Sequence, residues 1–333
     1  MTLLHINGFD HFDTNDFSKK AGWSQNSLPT MANGRFGGQA VSMNSTADYI
    51  RYDMGVNKST IYFGFGFMKY SSQSPEASTS YPFIRLYDEG GTDQIKILLN
   101  ASHGFNAYRN NTLLGSSSDN VIRSLFWEYI EIKVTISATV GEVTMRVNGT
   151  QVLNLTSQNT KNGTDYIRDI RFNHIWSSIQ VLIDDFYVDD AQFHGDCRVK
   201  IFMPDSDGNS SDFTRSTGSN DYECVDETFL NEDTDYIYSS TLNHKSIFGI
   251  TTGAVGTVVG IQVNNVIRDD AAGSRKITPI IRSNLTDYSG TETDQIPANY
   301  KVFHEVWETD PDDSNVWTQT KLEAAEFGLE ITT

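Results

Sequence analysis

Cysteine is nearly missing from this chain. Two thiols, Cys197 and Cys224, in 333 residues cannot build a disulfide framework, and with no second Cys near either one neither reads as part of a zinc site. Both are expected to be buried. Long apolar runs are missing as well: candidates such as 181–183 and 258–261 fall far short of the roughly 18–20 residues a membrane-spanning helix needs. The opening MTLLHINGFDHFD has no basic segment followed by an apolar one, so no cleaved secretory signal is visible. Positive charge is scarce, with 25 Lys+Arg against 43 Asp+Glu and a net charge of −18. The deficit is uneven, since residues 1–192 hold 15 basic and 19 acidic side chains while 193–333 hold 10 and 24. An acidic second half repels a nucleic-acid backbone or an anionic membrane, so neither is an expected partner. The same shift places a boundary near Gln192, which divides the chain into domains 1–192 and 193–333, each long enough to bury a core.

Catalytic signatures are absent in the same way. The chain has no Gly-x-Ser-x-Gly elbow, no Gly-x-x-x-x-Gly-Lys-Ser/Thr loop and no His-x-x-x-His pair. Its seven histidines (5, 11, 103, 174, 194, 244 and 304) are scattered and read as structural. Nine Asn-x-Ser/Thr triplets, Asn44, Asn148 and Asn162 among them, follow from 25 Asn in a Ser/Thr-rich chain and say little about glycosylation.

What is present is alternation of apolar and polar residues over five to nine positions, broken by Gly, Ser, Asn and Asp. This pattern predicts strands at 47–52, 59–68, 83–87, 94–99, 107–108, 127–136, 143–147, 169–172 and 179–188, then at 199–203, 258–268, 276–282 and 300–308. Helical periodicity is confined to one turn at 321–327. Asn148–Gly149, between Val147 and Val152, favours positive φ at two successive residues and predicts a tight hairpin. In 127–136, Trp127, Tyr129, Glu131, Lys133 and Thr135 share one face and Ile130, Ile132, Val134 and Ile136 the other, so one face is core and the other wetter. Many antiparallel strands without intervening helices predict an all-β protein whose sheets pack face to face.

The segments GRFGGQAVSMNSTADYIRY (34–52), STIYFGFGFMKY (59–70), LFWEYIEIKVTI (125–136), GEVTMRVNGTQVLN (141–154) and IQVLIDDFYVDD (179–190) resemble, in order and spacing, concanavalin A-like lectin/glucanase (laminin-G-like) jelly rolls. The opening INGFDHFDTNDFSKKAGW (6–23) resembles the start of such domains in bacteriophage virion proteins. From 195 on, segments such as GDCRVKIFMPDSDGNSSDFTRSTGSNDYECVDE and HEVWETDPDDSNVWTQTKLEAAEFGLEI are similar to a C-terminal module of tailed-phage structural proteins. The resemblance implies an N-terminal concanavalin A-like jelly-roll sandwich followed by a second, smaller acidic β-sandwich. It also implies a non-enzymatic component of the virion, in the tail, baseplate or fibre, with a lectin-like domain adhering to host surface glycans. Such a protein is made and assembled in the host cytoplasm, contacts other virion proteins and forms a homo-oligomer, a trimer as the first expectation. A capsid decoration, cement or head-fibre protein and a polysaccharide depolymerase are the alternatives.

Glycosidases of this jelly-roll class carry Glu-x-Asp-x-x-Glu or Glu-x-Asp-x-Glu, whose carboxylates act together as nucleophile and acid/base. The nearest imitation, Glu128-x-x-Glu131, sends its two carboxylates to opposite faces of a strand. Asp184, Asp185, Asp189 and Asp190 lack a Glu partner and read as a strand end turning into solvent. Asp205-Ser-Asp207-Gly-Asn209-Ser-Ser-Asp212 alternates oxygen donors around a glycine as a calcium loop does, but lacks a Glu at the twelfth position and reads as an acidic solvated turn. Asp233/Asp235 and Asp310/Asp312/Asp313 read likewise. Trp23, Tyr70, Tyr81, Tyr108 and Trp176 lie near loops and are candidate platforms for the apolar faces of sugars. No catalytic, cofactor-binding or metal-binding residue is assigned, and no single sugar contact is chosen.

Overall fold

The structure is a computed structural model that describes residues 2–11, 19, 22–26, 30–45, 47–71, 82–175, 179–270 and 275–332. Two compact units divide the chain: Lys19 apart, the first holds the described residues to Val199 and the second those from Lys200. The first unit therefore runs on past the charge-based boundary at Gln192. No helix among the described residues is long and apolar enough to cross a membrane.

The first unit contains β1 (Leu3–Asn7), β2 (Trp23–Asn26), β3 (Thr30–Asn33), β4 (Gln39–Met43), β5 (Tyr49–Lys58), β6 (Thr60–Tyr70), β7 (Ile84–Tyr87) and β8 (Asp93–Leu99). It continues with β9 (Phe105–Arg109), β10 (Thr112–Ser116), β11 (Trp127–Thr135), β12 (Gly141–Val147), β13 (Thr150–Gln158), β14 (Ile167–Asn173) and β15 (Gln180–Asp189). Eight strands form one sheet in the order β13-β12-β11-β6-β15-β4-β3, with β1 also paired to β15; seven form a second in the order β10-β9-β8-β7-β14-β5-β2. Every ladder is antiparallel, and the chain passes repeatedly between the sheets, which is the jelly-roll arrangement.

Period-two alternation explains the packing. Ile61, Phe63, Phe65 and Phe67 of β6 and Ile130, Ile132 and Val134 of β11 point inward from the first sheet. Ile50, Tyr52, Ile84, Leu86, Ile95, Ile97, Ile170 and Phe172 answer from the second. The core is aromatic at its centre, where Phe65 and Phe172 meet edge to face at 4.8 Å. The expected hairpin forms, with Asn148 at φ 48° and Gly149 at φ 76°, and Val147 pairs with Thr150 across it.

Gly64 faces outward in the middle of β6, and a Cβ there would lie 2.3 Å from Cε1 of Tyr187 and 3.0 Å from Cε1 of Tyr129. Both tyrosines are buried, so neither ring can swing aside cheaply. Gly64→Ala is expected to lower stability by about 3 kcal/mol through overpacking, read as a fall in the midpoint of thermal unfolding. A variant that melts with the parent would show the ring stack to be loose.

The second unit contains β16 (Ser206–Ser211), β17 (Thr214–Arg215), β18 (Ile237–Tyr238), β19 (Lys245–Gly249), β20 (Ile261–Ile267), β21 (Ile277–Ser283), β22 (Thr286–Ser289) and β23 (Lys301–Trp307). A short helix α1 (Gln319–Ala324) and β24 (Glu326–Ile331) close it. Five strands form a sheet in the order β16-β19-β24-β21-β22, and β17-β18 and β20-β23 are separate ribbons. Ile281, Trp317, Leu322 and Ala325 make its small core, with Val263, Trp307 and Phe327 packed against them.

Several local expectations are corrected. Residues 199–203 form no ladder; Val199 instead donates its backbone N–H to Asp185. The supposed turn at 205–212 is mostly β16, paired with β19. The helical turn expected at 321–327 spans Gln319–Ala324, and Glu326 and Phe327 already belong to β24.

Candidate functional site

The outward face of the first sheet holds one of the two carboxylates that the sequence brings closest to a catalytic set. Glu131 is buried there, where Oε1 accepts from the Tyr187 hydroxyl and the Gly195 N–H, each at 2.7 Å. Glu128 lies on the opposite side of β11, paired with Arg123 at 2.6 Å and accepting from the Asn148 side chain. The two share no space. Asp184, Asp185 and Asp189 are buried rather than turned into solvent, with a bulge between Asp184 and Tyr187 and φ 48° at Asp185. Only Asp190 of that group is partly exposed, paired with Lys58 at 2.8 Å.

Around Glu131, Asp184, Asp185 and Asp189 this face is covered, because residues 193–199 lie over it. Phe193 packs edge-on to Tyr62 and under the Arg146 guanidinium. His194 donates its N–H to the Tyr187 hydroxyl, and its ring bonds Asp189 at 2.9 Å. Val199 N–H reaches Asp185 at 2.8 Å, and Arg35 bonds the Cys197 carbonyl and Asp196 while its own N–H reaches Asp184. Burial pushes Asp184 up to about 7 and Asp185 to about 6, with Asp185 adding repulsion at Asp184 and Arg35 opposing the rise at Asp185. Burial would raise Asp189 too, but the His194 ring and the Ala191 and Gln192 N–H groups outweigh it and hold the carboxyl below its usual range. Cys197, half-buried beside Glu131, has its thiol pushed up to about 12 by burial. It is no nucleophile at neutral pH.

The second sheet presents a different outer face. One rung crosses all seven strands: Leu113, Tyr108, Lys96, Arg85, Arg171, Arg51 and Ser24, each opposite the next. Four cations thus stand on four neighbouring strands, about 14 Å from end to end. On one side of the row, Arg51 pairs with Asp169 at 2.5 Å, Arg85 and Lys96 share Asp93 at 3.0 and 3.3 Å, and Arg168 pairs with Asp53 at 2.5 Å. On the other side stand Tyr49, Asn173, Asn26 and Asn106, all uncharged. Arg171 joins no carboxylate among the described residues; its guanidinium lies 3.5 Å from the centre of the Tyr49 ring, and burial pulls its pKa down. Cations, amides and flat rings on one partly exposed face suit hydroxyl and carboxylate groups on a ring-shaped ligand.

Trp23 is 4% exposed, inside the core, with its ring N–H on His5, so it is no platform. Tyr108 lies half-buried on the second sheet's outer face, and Tyr70 is 56% exposed on the first sheet. Tyr81 and Trp176 lie outside the described residues. The Asp205–Asp212 oxygens disperse: Asp207 accepts from the Tyr222 N–H and Asp212 from the Lys245 N–H, while the Asn209 N–H binds Glu326. Asp310 and Asp313 hold Lys321, Asp312 accepts from Tyr288, Asp233 holds Arg268 and Asp235 binds Asn231. Sequence reasoning missed the cation row. Its signal is a basic residue between Ile and another apolar residue in four strands: Ile50-Arg51-Tyr52, Ile84-Arg85-Leu86, Ile95-Lys96-Ile97 and Ile170-Arg171-Phe172.

No family model matches the chain, and no curated protein matches it. Among solved structures it is similar to a sialidase (9% identity, TM-score 0.42), covering 56% of this chain and 18% of that one. It is also similar to the catalytic domain of a glycoside hydrolase family 131 protein from Coprinopsis cinerea (10% identity, TM-score 0.39), covering 60% and 98%. A third is the exoplasmic/lumenal domain of VIP36 in a form bound to Ca2+ and Man3GlcNAc (10% identity, TM-score 0.36), covering 53% and 86%. By these descriptions the neighbours process or bind glycans, and with TM-scores below 0.5 they fix neither ligand nor activity for this chain.

Proposed function

We propose that this protein is a non-enzymatic structural component of a tailed-bacteriophage particle, in the tail, baseplate or fibre, whose first unit adheres to host surface glycans. The observation that carries the adhesive part is the outer face of the second sheet, where Tyr108, Tyr49, Asn106 and Asn173 flank a row of cations. The carboxylates bordering that row, Asp53, Asp93 and Asp169, are each tied to Arg or Lys, which argues against a free nucleophile and acid pair. On the first sheet, the strap over Glu131, Asp184 and Asp185 argues the same way. The virion part rests on the sequence resemblance across both halves, and a symmetric oligomer, first a trimer, fits that setting.

The test is to label the intact particle with an antibody against the first unit and locate the label by electron microscopy. Label at the tail tip or fibres is the expected result. Label over the head would make this a capsid decoration protein, and an unlabelled particle would overturn the virion assignment.

A further inference from the structure

We infer that the outer face of the second sheet takes an acidic polysaccharide, one whose sugar rings carry carboxylates, held along the row Lys96, Arg85, Arg171 and Arg51. The inference rests on the glycan-binding reading above and names the class of glycan.

Among the described residues, the carboxylates paired with the row, Asp93 and Asp169, stand on one side of it, as does Asp53 with its partner Arg168, while Tyr49, Asn173 and Asn106 border the other. An approaching chain therefore meets cations through a neutral, hydroxyl-matching margin. Arg171 is central, half-buried and joined to no carboxylate among the described residues. A partly desolvated guanidinium without an anion is where a ligand carboxylate gains most, because the bond is charge-assisted and the surrounding water is already displaced. Tyr49 beneath that guanidinium and Tyr108 at the end of the row offer flat surfaces for the C–H faces of the same sugars. A nucleic acid fits less well: its closely spaced phosphates would meet Asp53, Asp93 and Asp169 as well as a chain of net charge −18. A polysaccharide with one carboxylate per ring spaces its charges with neutral hydroxyls, as the face spaces Arg with Asn and Tyr.

The experiment is calorimetric titration of the full chain with a panel of uronate-bearing and sialylated oligosaccharides, their methyl esters, neutral oligosaccharides and single-stranded DNA. The expected result is binding of at least one acidic sugar, weakened about tenfold or more in its methyl ester and by added salt. Arg171→Gln and Arg85→Gln should each weaken it about tenfold with the unfolding midpoint kept; Arg85→Gln serves if Arg171→Gln does not fold, since Lys96 still holds Asp93. Equal binding of acid and ester, or of neutral sugars alone, would overturn the acidic class and leave the glycan reading standing. DNA binding as tight as the best sugar would overturn it in favour of a general polyanion face. Silence across the whole panel would overturn both readings.

Discussion

A fragment of the first unit ending at Gln192 is expected to unfold about 10 °C below one ending at Val199. The seven residues between them are part of that unit's architecture. They bring the Gly195 N–H to Glu131 and the Val199 N–H to Asp185, and they lay Phe193 across Tyr62 and Arg146. A hydrogen bond to a charged group is worth about 1.5–3 kcal/mol net, so the loss of both, partly offset by water reaching the uncovered carboxylates, comes to about 3 kcal/mol. In a domain of this size that shifts the midpoint by about 6–12 °C. Differential scanning calorimetry of the two fragments measures it. Coincident midpoints would show that the strap merely rests on the sheet and that the boundary belongs at Gln192.

The same carboxylates set the largest expected pH effect. Asp184 and Asp185 have folded pKa values raised to about 7 and about 6, against 3.8 for an unburied aspartate. Between pH 4 and 7 the folded state therefore binds more protons than the unfolded one, and stability falls as pH rises through that window. The first unit should be at least about 2 kcal/mol more stable at pH 5 than at pH 8, since each pH unit across the window is worth up to about 1.4 kcal/mol per group. Denaturant titrations at a series of pH values read the slope directly. Asp184→Asn removes one of the two groups and should reduce that slope by about half, whatever it does to absolute stability. A profile that rises from pH 5 to pH 8 would mean that both carboxylates are ionised in the fold and stabilised by Arg35 and their backbone donors.

The parts of the fold legible in sequence are those in which alternation and turn chemistry agree. Trp127–Thr135 and its neighbour Thr60–Tyr70 alternate over nine or more residues, and Asn148–Gly149 specifies its own hairpin. Strands without an apolar face were invisible: SDGNSS of β16 is entirely polar, and its pairing with β19 is a long-range fact that no local pattern encodes. The Lys321–Phe327 segment misled in the opposite direction, because KLEAA favours a helix while Phe327 is claimed by β24. Adjacent aspartates at 184 and 185 suggested solvent for a sound local reason. The bulge and the strap that bury them depend on residues 193–199, which fold back from beyond the last strand of the jelly roll. On the candidate face, the four Ile-flanked basic residues were each legible as outward positions of a strand. Their alignment in a single rung required the register of β8, β7, β14 and β5, which tertiary packing sets.

The proposed role is to hold glycans on the outer face of the first unit's second sheet and leave them intact. Its most direct test is exposure of the full chain to a glycan array, with retention read by fluorescence and the recovered glycans read by mass spectrometry. Retention without change in glycan mass is the predicted result, lost about tenfold in Tyr108→Ala at an unchanged unfolding midpoint, because stacking on one ring is worth about 1–2 kcal/mol. Shortened glycans would make the protein an enzyme, and retention indifferent to Tyr108 would move the site away from this face.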